Sequence, residues 1–179
     1  KLTANKKVRN KDAYSPGGKT GFRPDPATIV YSQIAKRLFN DTPLIIGGIE
    51  ASLRRFVHYD YWADSLRRSI LIDAQADLLI YGMGELQILE IAKLLAQGVN
   101  VNNIKNINGT CYVAHDLNDL NNFVELPSWQ EINEDKLNFA KAFKLAYQEQ
   151  DAMHGKILVQ AHEKGILVQN PPARPLSTQ

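Results

Sequence analysis

Sulfur is scarce in this chain of 179 residues, which has a single cysteine, Cys111, and two methionines. One cysteine excludes an internal disulfide and points to a reducing, cytoplasmic setting. It also excludes a multi-cysteine zinc site and a self-contained cubane iron–sulfur cluster, which needs several thiolates. Long apolar runs are missing too. None approaches the roughly 20 residues needed to cross a bilayer, so no membrane partner is expected. The opening KLTANKKVRNKD has no apolar stretch, so no secretory signal is expected. There is no P-loop and no Ser-His-Asp arrangement, and Gly82-x-Gly84 lacks the third glycine of a dinucleotide fingerprint. His115, His154 and His162 lie apart without ligand-like spacing to a carboxylate, so neither a metal site nor a catalytic residue is assigned.

What remains is the composition of a globular domain: 44% apolar, 22% charged, net charge +2. The charge is unevenly spread. Lys1, Lys6, Lys7, Arg9, Lys11, Lys19 and Arg23 crowd the start against one acid, Asp12. Residues 1–24 therefore read as a basic, extended leader, either solvated or available to nucleic acid. Lys1 in place of Met, and the closing PLSTQ, read as boundaries within a longer chain.

From residue 25 a periodic pattern begins. Asp25-Pro26 opens a helix to about residue 40, with Val30, Ile34 and Leu38 expected on its core face. Residues 43–48 (PLIIGG) and 76–82 (ADLLIYG) read as strands buried on both faces. Residues 51–72 read as a helix broken near 58–61, and residues 85–97 as a helix closed by Gly98. A third strand is expected over 107–114. The alternation predicts an α/β fold with a parallel, Rossmann-like three-layer sheet over residues 25–115. Residues 116–179 read as a loop (116–133), a helix (134–150), a short helix (156–162), a strand (165–169) and an extended exit.

Ligands of such sheets bind at the carboxyl ends of the strands. Two glycine loops fall there: Gly47-Gly48 with Glu50 and Ser52, and Gly82-Met83-Gly84 with Glu85. Glycine lets backbone approach a ligand, and each loop runs into a helix N-terminus that favours anions; glycines that merely turn the chain would look the same. The run from Glu50 to Trp62 adds Arg54, Arg55, His58 and Tyr59, and a second arginine pair follows at Arg67-Arg68. Paired arginines hold phosphate or carboxylate, including RNA, or they bridge to Asp60, Asp64 and Asp73 of the same surface. His58 among aromatics reads as a structural residue or as a ligand or acid/base. Cys111 reads as a small buried hydrophobe.

The segments DAYSPGG (12–18), RPD (23–25), GGIEASLRRFVHYDYW (47–62), ADLLIYGMGE (76–85) and NPPA (170–173) resemble the N-terminal region of YgiQ-type radical-SAM proteins. The resemblance touches nearly the whole chain and is weakest over 116–150. It implies a parent enzyme carrying a 4Fe-4S cluster on a C-x3-C-x2-C loop, with S-adenosylmethionine bound to it. This chain would be an N-terminal accessory domain, incomplete at its start, that leads toward a radical-SAM barrel and helps cover or select substrate. The two glycine loops are also similar to those of cobalamin-binding domains, although the Asp-x-His-x-x-Gly signature is absent. The ligand-facing residues implied are Gly47, Gly48, Glu50, Ser52, Arg54, Arg55, His58, Tyr59, Gly82, Gly84 and Glu85. Two other readings stand beside this one: an RNA- or phosphate-binding module, and a ligand-free scaffold that docks on the barrel.

Overall fold

The structure, a computed structural model, describes residues 5–176. Helix α1 (Ala27–Leu38) leads to strand β1 (Ile45–Ile46), helix α2 (Gly48–Leu53), strands β2 (His58–Asp60) and β3 (Ser65–Arg67), and the short helix α3 (Ile70–Asp73). Strand β4 (Leu78–Ile80), helix α4 (Glu85–Ala96) and strand β5 (Thr110–Ala114) follow. The chain continues through β6 (Phe123–Leu126), α5 (Trp129–Glu134), α6 (Lys136–Gln148), β7 (Ile157–His162) and β8 (Gly165–Gln169). Six strands form one sheet in the order β1-β4-β5-β8-β7-β6, and β2 and β3 form a separate antiparallel ribbon. No helix among the described residues is long and apolar enough to cross a membrane.

The period-2 geometry of strands divides the core between the two faces of the sheet. Leu79, Cys111 and Leu167 pack on one face with Ala51 of α2 and Ile70 and Leu71 of α3. Leu78, Ile80, Tyr112 and Val168, their immediate neighbours, pack on the other face with Ile91 of α4. Helices therefore cover both faces, and the α/β, three-layer expectation holds. A smaller cluster of Val57, Ile132 and Ala142 joins the ribbon to α5 and α6.

The all-parallel expectation fails after β4. β1 and β4 are parallel, as are β6 and β7, but β4–β5, β5–β8 and β8–β7 are antiparallel. The cause lies in residues 97–109. Gly98 ends α4, and Val99, Val101, Ile104 and Ile107 pack along the sheet. The chain therefore travels the length of the sheet once more and enters β5 from the opposite end. This stretch has neither helical nor strand periodicity, so the sequence pattern carries no trace of the extra passage. The Rossmann-like unit is confined to β1, β4 and their helices, and the analogy to a cobalamin-binding domain loses its parallel sheet. Because β8 lies between β5 and β7, strands β6–β8 of the expected C-terminal segment share one sheet with β1, β4 and β5.

Three local expectations also change. Residues 58–67 form the ribbon instead of continuing a helix; the β-branched and aromatic run Val57 to Trp62 favours strand, and Asp60 caps the turn by accepting the Trp62 N–H at 2.9 Å. Residues 157–162 are strand β7, because Leu158, Val159 and Gln160 pair with both neighbours, and a turn at Glu163-Lys164 sets His162 opposite Gly165. The expected loop over 116–133 holds β6 and all but the last residue of α5, which is started by a capping box of Ser128 and Glu131.

The ends of the first helix differ as well. α1 turns Ile29 and buried Ser32 inward, while Leu38 and Phe39 are exposed. Lys36, on the inward face, bridges to Asp77 at 2.6 Å. The leader is folded from residue 12 onward: Asp12 is buried, bridges to Arg23 at 2.5 Å, and donates its backbone N–H to the Gly18 carbonyl at 2.9 Å. The Arg23 guanidinium holds the Asp12 carboxyl down to about 2. Residues 1–4 of the expected leader and 177–179 of the expected exit lie outside the described residues.

Candidate functional site

Strand β1 ends at Gly47-Gly48 and strand β4 at Gly82–Gly84, and because β1 and β4 are parallel neighbours, both loops lie at the same end of the sheet. One side chain ties them together. Ser52 Oγ–H donates to the Gly48 carbonyl at 2.8 Å and accepts the Gly82 N–H at 3.2 Å. Gly48 turns the chain into α2 at φ 84°, a region costly for any residue with a Cβ. Gly84 is glycine for a different reason: a Cβ there would sit 2.8 Å from Ile80 Cγ2, so α4 could not approach β4. Glu85 follows, exposed, in the first turn of α4, where its charge suits the helix dipole.

Glu50 of α2 and Arg54, which caps the helix's C-terminus four residues later, bridge at 3.1 Å, and Thr28 of α1 donates to the same carboxylate. α2 has only six residues, and its exposed face carries Ile49 and Leu53; Met83 in the neighbouring loop is exposed as well. The surface at the tips of the two loops is thus largely apolar.

Arg55 turns the other way, toward the sheet. Its Nε donates to Gln169 Oε1 at 2.5 Å, another guanidinium nitrogen donates to the Ser52 carbonyl, and Cζ lies 4.8 Å from the centre of the Tyr81 ring and 5.1 Å from that of Phe56. Buried Gln160 holds the next turn of chain: it accepts the Val57 N–H at 2.9 Å and donates to the Pro127 carbonyl at 2.9 Å. Tyr81 donates its hydroxyl to the Asn170 carbonyl at 2.6 Å, and burial pushes its pKa up. The sequence reading missed Gln160, Gln169, Tyr81 and Asn170. The only signal for the two glutamines was a polar residue inside an otherwise apolar strand.

The arginine pairs find partners within the protein. Arg67 and Arg68 both bridge to Asp73, at 3.1 and 3.0 Å, and Arg68 also reaches Glu163 at 3.6 Å. Asp60 and Asp64, expected to share that task, bind the ribbon's own turn and the Tyr59 hydroxyl. Of the two donor sets of the phosphate- or RNA-binding reading, the basic leader and the paired arginines, the arginines are engaged within the protein. Tyr59 is half exposed, and the hydrogen bond to Asp64 raises its pKa.

His58 and Tyr59 sit on the ribbon, so the structure divides the dense run between two places: the glycine loops, and a cleft between the ribbon and α6. Burial lowers the His58 pKa, against the opposing pull of the Phe56 carbonyl. Nδ1 lies 3.1 Å from that carbonyl, which can only accept, so the neutral ring carries its proton on Nδ1. Nε2 is an acceptor facing no partner among the described residues.

An iron–sulfur cluster does not fit this chain. Cys111, its one thiol, is fully buried in β5, and burial pushes its pKa up to about 12. No grouping of three His, Cys, Asp or Glu side chains among the described residues could hold a metal ion.

Comparison with known proteins agrees along the entire chain. It is 54% identical over 177 residues to a UPF0313 protein of Clostridium botulinum (strain 657 / Type Ba4), covering 99% of this chain and 28% of the relative. It is 49% identical over 176 residues to a UPF0313 protein of Methanocella arvoryzae, covering 98% of this chain and 29% of the relative. A UPF0313 protein of Clostridium perfringens (strain 13 / Type A) is 49% identical over 178 residues, covering 99% and 27%. The chain thus spans little more than a quarter of the length of these relatives. No solved structure matches. The model of the radical SAM N-terminal family matches residues 1–179, and the chain belongs to that family.

Proposed function

We propose that this chain is the N-terminal accessory domain of a longer radical-SAM iron–sulfur protein. It helps cover or select the substrate, while the cluster and S-adenosylmethionine belong to a catalytic region elsewhere in the parent chain. Membership of the family and the quarter-length match to the relatives support this division. The observation that carries it is the clamp made by Ser52: two loops at one end of the sheet are locked together, and Ile49, Leu53 and Met83 are exposed beside them. Such a surface offers shape and apolar contact and no reacting group. Its task is to place and shield, and the chemistry is the cofactor's.

The test uses the full-length parent, prepared anaerobically, with Ser52→Ala. Removing one hydroxyl frees the Gly82 loop from α2 and leaves the fold in place. The variant should keep the parent's iron content and change how S-adenosylmethionine cleavage couples to substrate, seen as uncoupled 5′-deoxyadenosine. A fall in iron content in step with the substitution would mean that these loops support the cluster directly. A wild-type parent that binds no iron would remove the reading altogether.

A further inference from the structure

The second place to which the structure sends the Glu50–Trp62 run is a cleft of about 350 Å³ between the β2–β3 ribbon and α6. Its floor is apolar and closed by Val57 and Leu126, both buried. Its rim is apolar and open: Leu53, Phe143 and Tyr147 are 74%, 69% and 66% exposed. Phe143 and Tyr147 are four residues apart, so they stand on one face of α6, one above the other. Ala142, beside them, packs inward against Val57.

The polar groups of the lining do not invite a charged ligand. His58 is kept neutral by burial, and Arg55 is already bonded to Gln169 and Ser52. Large apolar side chains gathered round a groove mark a surface that another apolar surface covers. The lengths point to where such a surface comes from: this chain accounts for 27–29% of each relative, so most of the relatives' chain lies outside this domain.

We infer that the cleft is an intramolecular docking site, in which an apolar segment of the parent's remaining chain seats between α6 and the ribbon. The inference rests on reading this chain as one domain of a longer protein. It adds a second contact face, adjoining the glycine-loop surface at Leu53 and centred on α6, and gives α6 a role that its sequence, charged and amphipathic, did not announce. It also makes the neutral state of His58 functional: a protonated imidazole in the lining would have to be desolvated whenever the segment seated.

Hydroxyl-radical footprinting of the full-length parent tests it. Phe143 and Tyr147, which belong to the cleft and not to the glycine loops, should be protected in the native parent relative to the urea-unfolded parent, and the protection should persist on dilution. In a Phe143→Ser/Tyr147→Ser variant, trypsin should separate the two regions faster by at least about tenfold, since two large apolar side chains leave the contact. Phe143→Leu/Tyr147→Phe should keep the wild-type rate, which shows that apolar contact matters and that α6 still folds. Rim residues as reactive in the native parent as in the unfolded one would overturn the inference. Protection that vanishes on dilution would overturn it too, by assigning the cleft to a second copy. Iron content is not read in this experiment, so a parent without a cluster would remove the proposed function and leave the docking result standing.

Discussion

Acid should destabilise this domain well before its carboxylates protonate, and His162 is the main cause. His162 ends β7 opposite Gly165, and both of its ring nitrogens are buried with no hydrogen-bond partner. Burial and the neighbouring Arg68 guanidinium lower its pKa to about 4, with Asp73 pulling weakly the other way. In the unfolded chain the same ring titrates near its ordinary value of 6.5. Between those two values the unfolded state binds the proton and the folded state does not, so stability falls as the pH falls. Linkage between the two pKa values gives a loss of about 2 kcal/mol from pH 7 to pH 5, a large share of the roughly 5–15 kcal/mol typical of a domain. His58, also lowered by burial, adds in the same direction. Asp12, held at about 2, contributes its loss only at lower pH. Urea unfolding followed by the fluorescence of Trp62 and Trp129 reads the free energy at each pH. His162→Phe removes two orphaned polar atoms, so it should match or exceed wild type at pH 7 and lose much less stability by pH 5. His162→Leu guards against a misfit of the larger ring. If both variants keep the full wild-type slope between pH 7 and 5, the reasoning is wrong.

Two further substitutions separate structural roles from ligand-facing ones. Arg55→Ala should cost about 2–3 kcal/mol in the same urea assay, because it leaves Gln169 without its charged partner and strips a cation from the Tyr81 and Phe56 rings; a wild-type midpoint would return Arg55 to the list of ligand-facing residues. Gly84→Ala should cost about 1–3 kcal/mol, since its Cβ would lie 2.8 Å from Ile80 Cγ2 and α4 must shift to admit it. An unchanged midpoint would show that α4 moves freely on β4, and the close-approach argument would fail.

The sequence by itself determined a good deal. The apolar runs ending in glycine placed β1 and β4, the i, i+4 pattern closed by Gly98 placed α4, and the run Gly47 to Trp62 was specific enough to carry the family resemblance. Each of these rests on neighbours within a few residues, which is the range over which propensity and periodicity act. Ser52 was legible as a candidate from its place in a glycine loop, but its role as the tie between two loops depends on Gly82, thirty residues away. Tertiary structure alone decided the rest. Strand direction in β5 depends on which end of the sheet the connection reaches, and side-chain pattern is the same either way. Residues 58–60, 65–67 and 157–162 became strands because pairing partners were available to them: β2 and β3 for each other, and β6 and β8 for β7. The arginines could not be assigned from spacing, because the group that neutralises or holds each one is chosen by the fold: Asp73 for Arg67 and Arg68, and for Arg55 a glutamine 114 residues further along the chain.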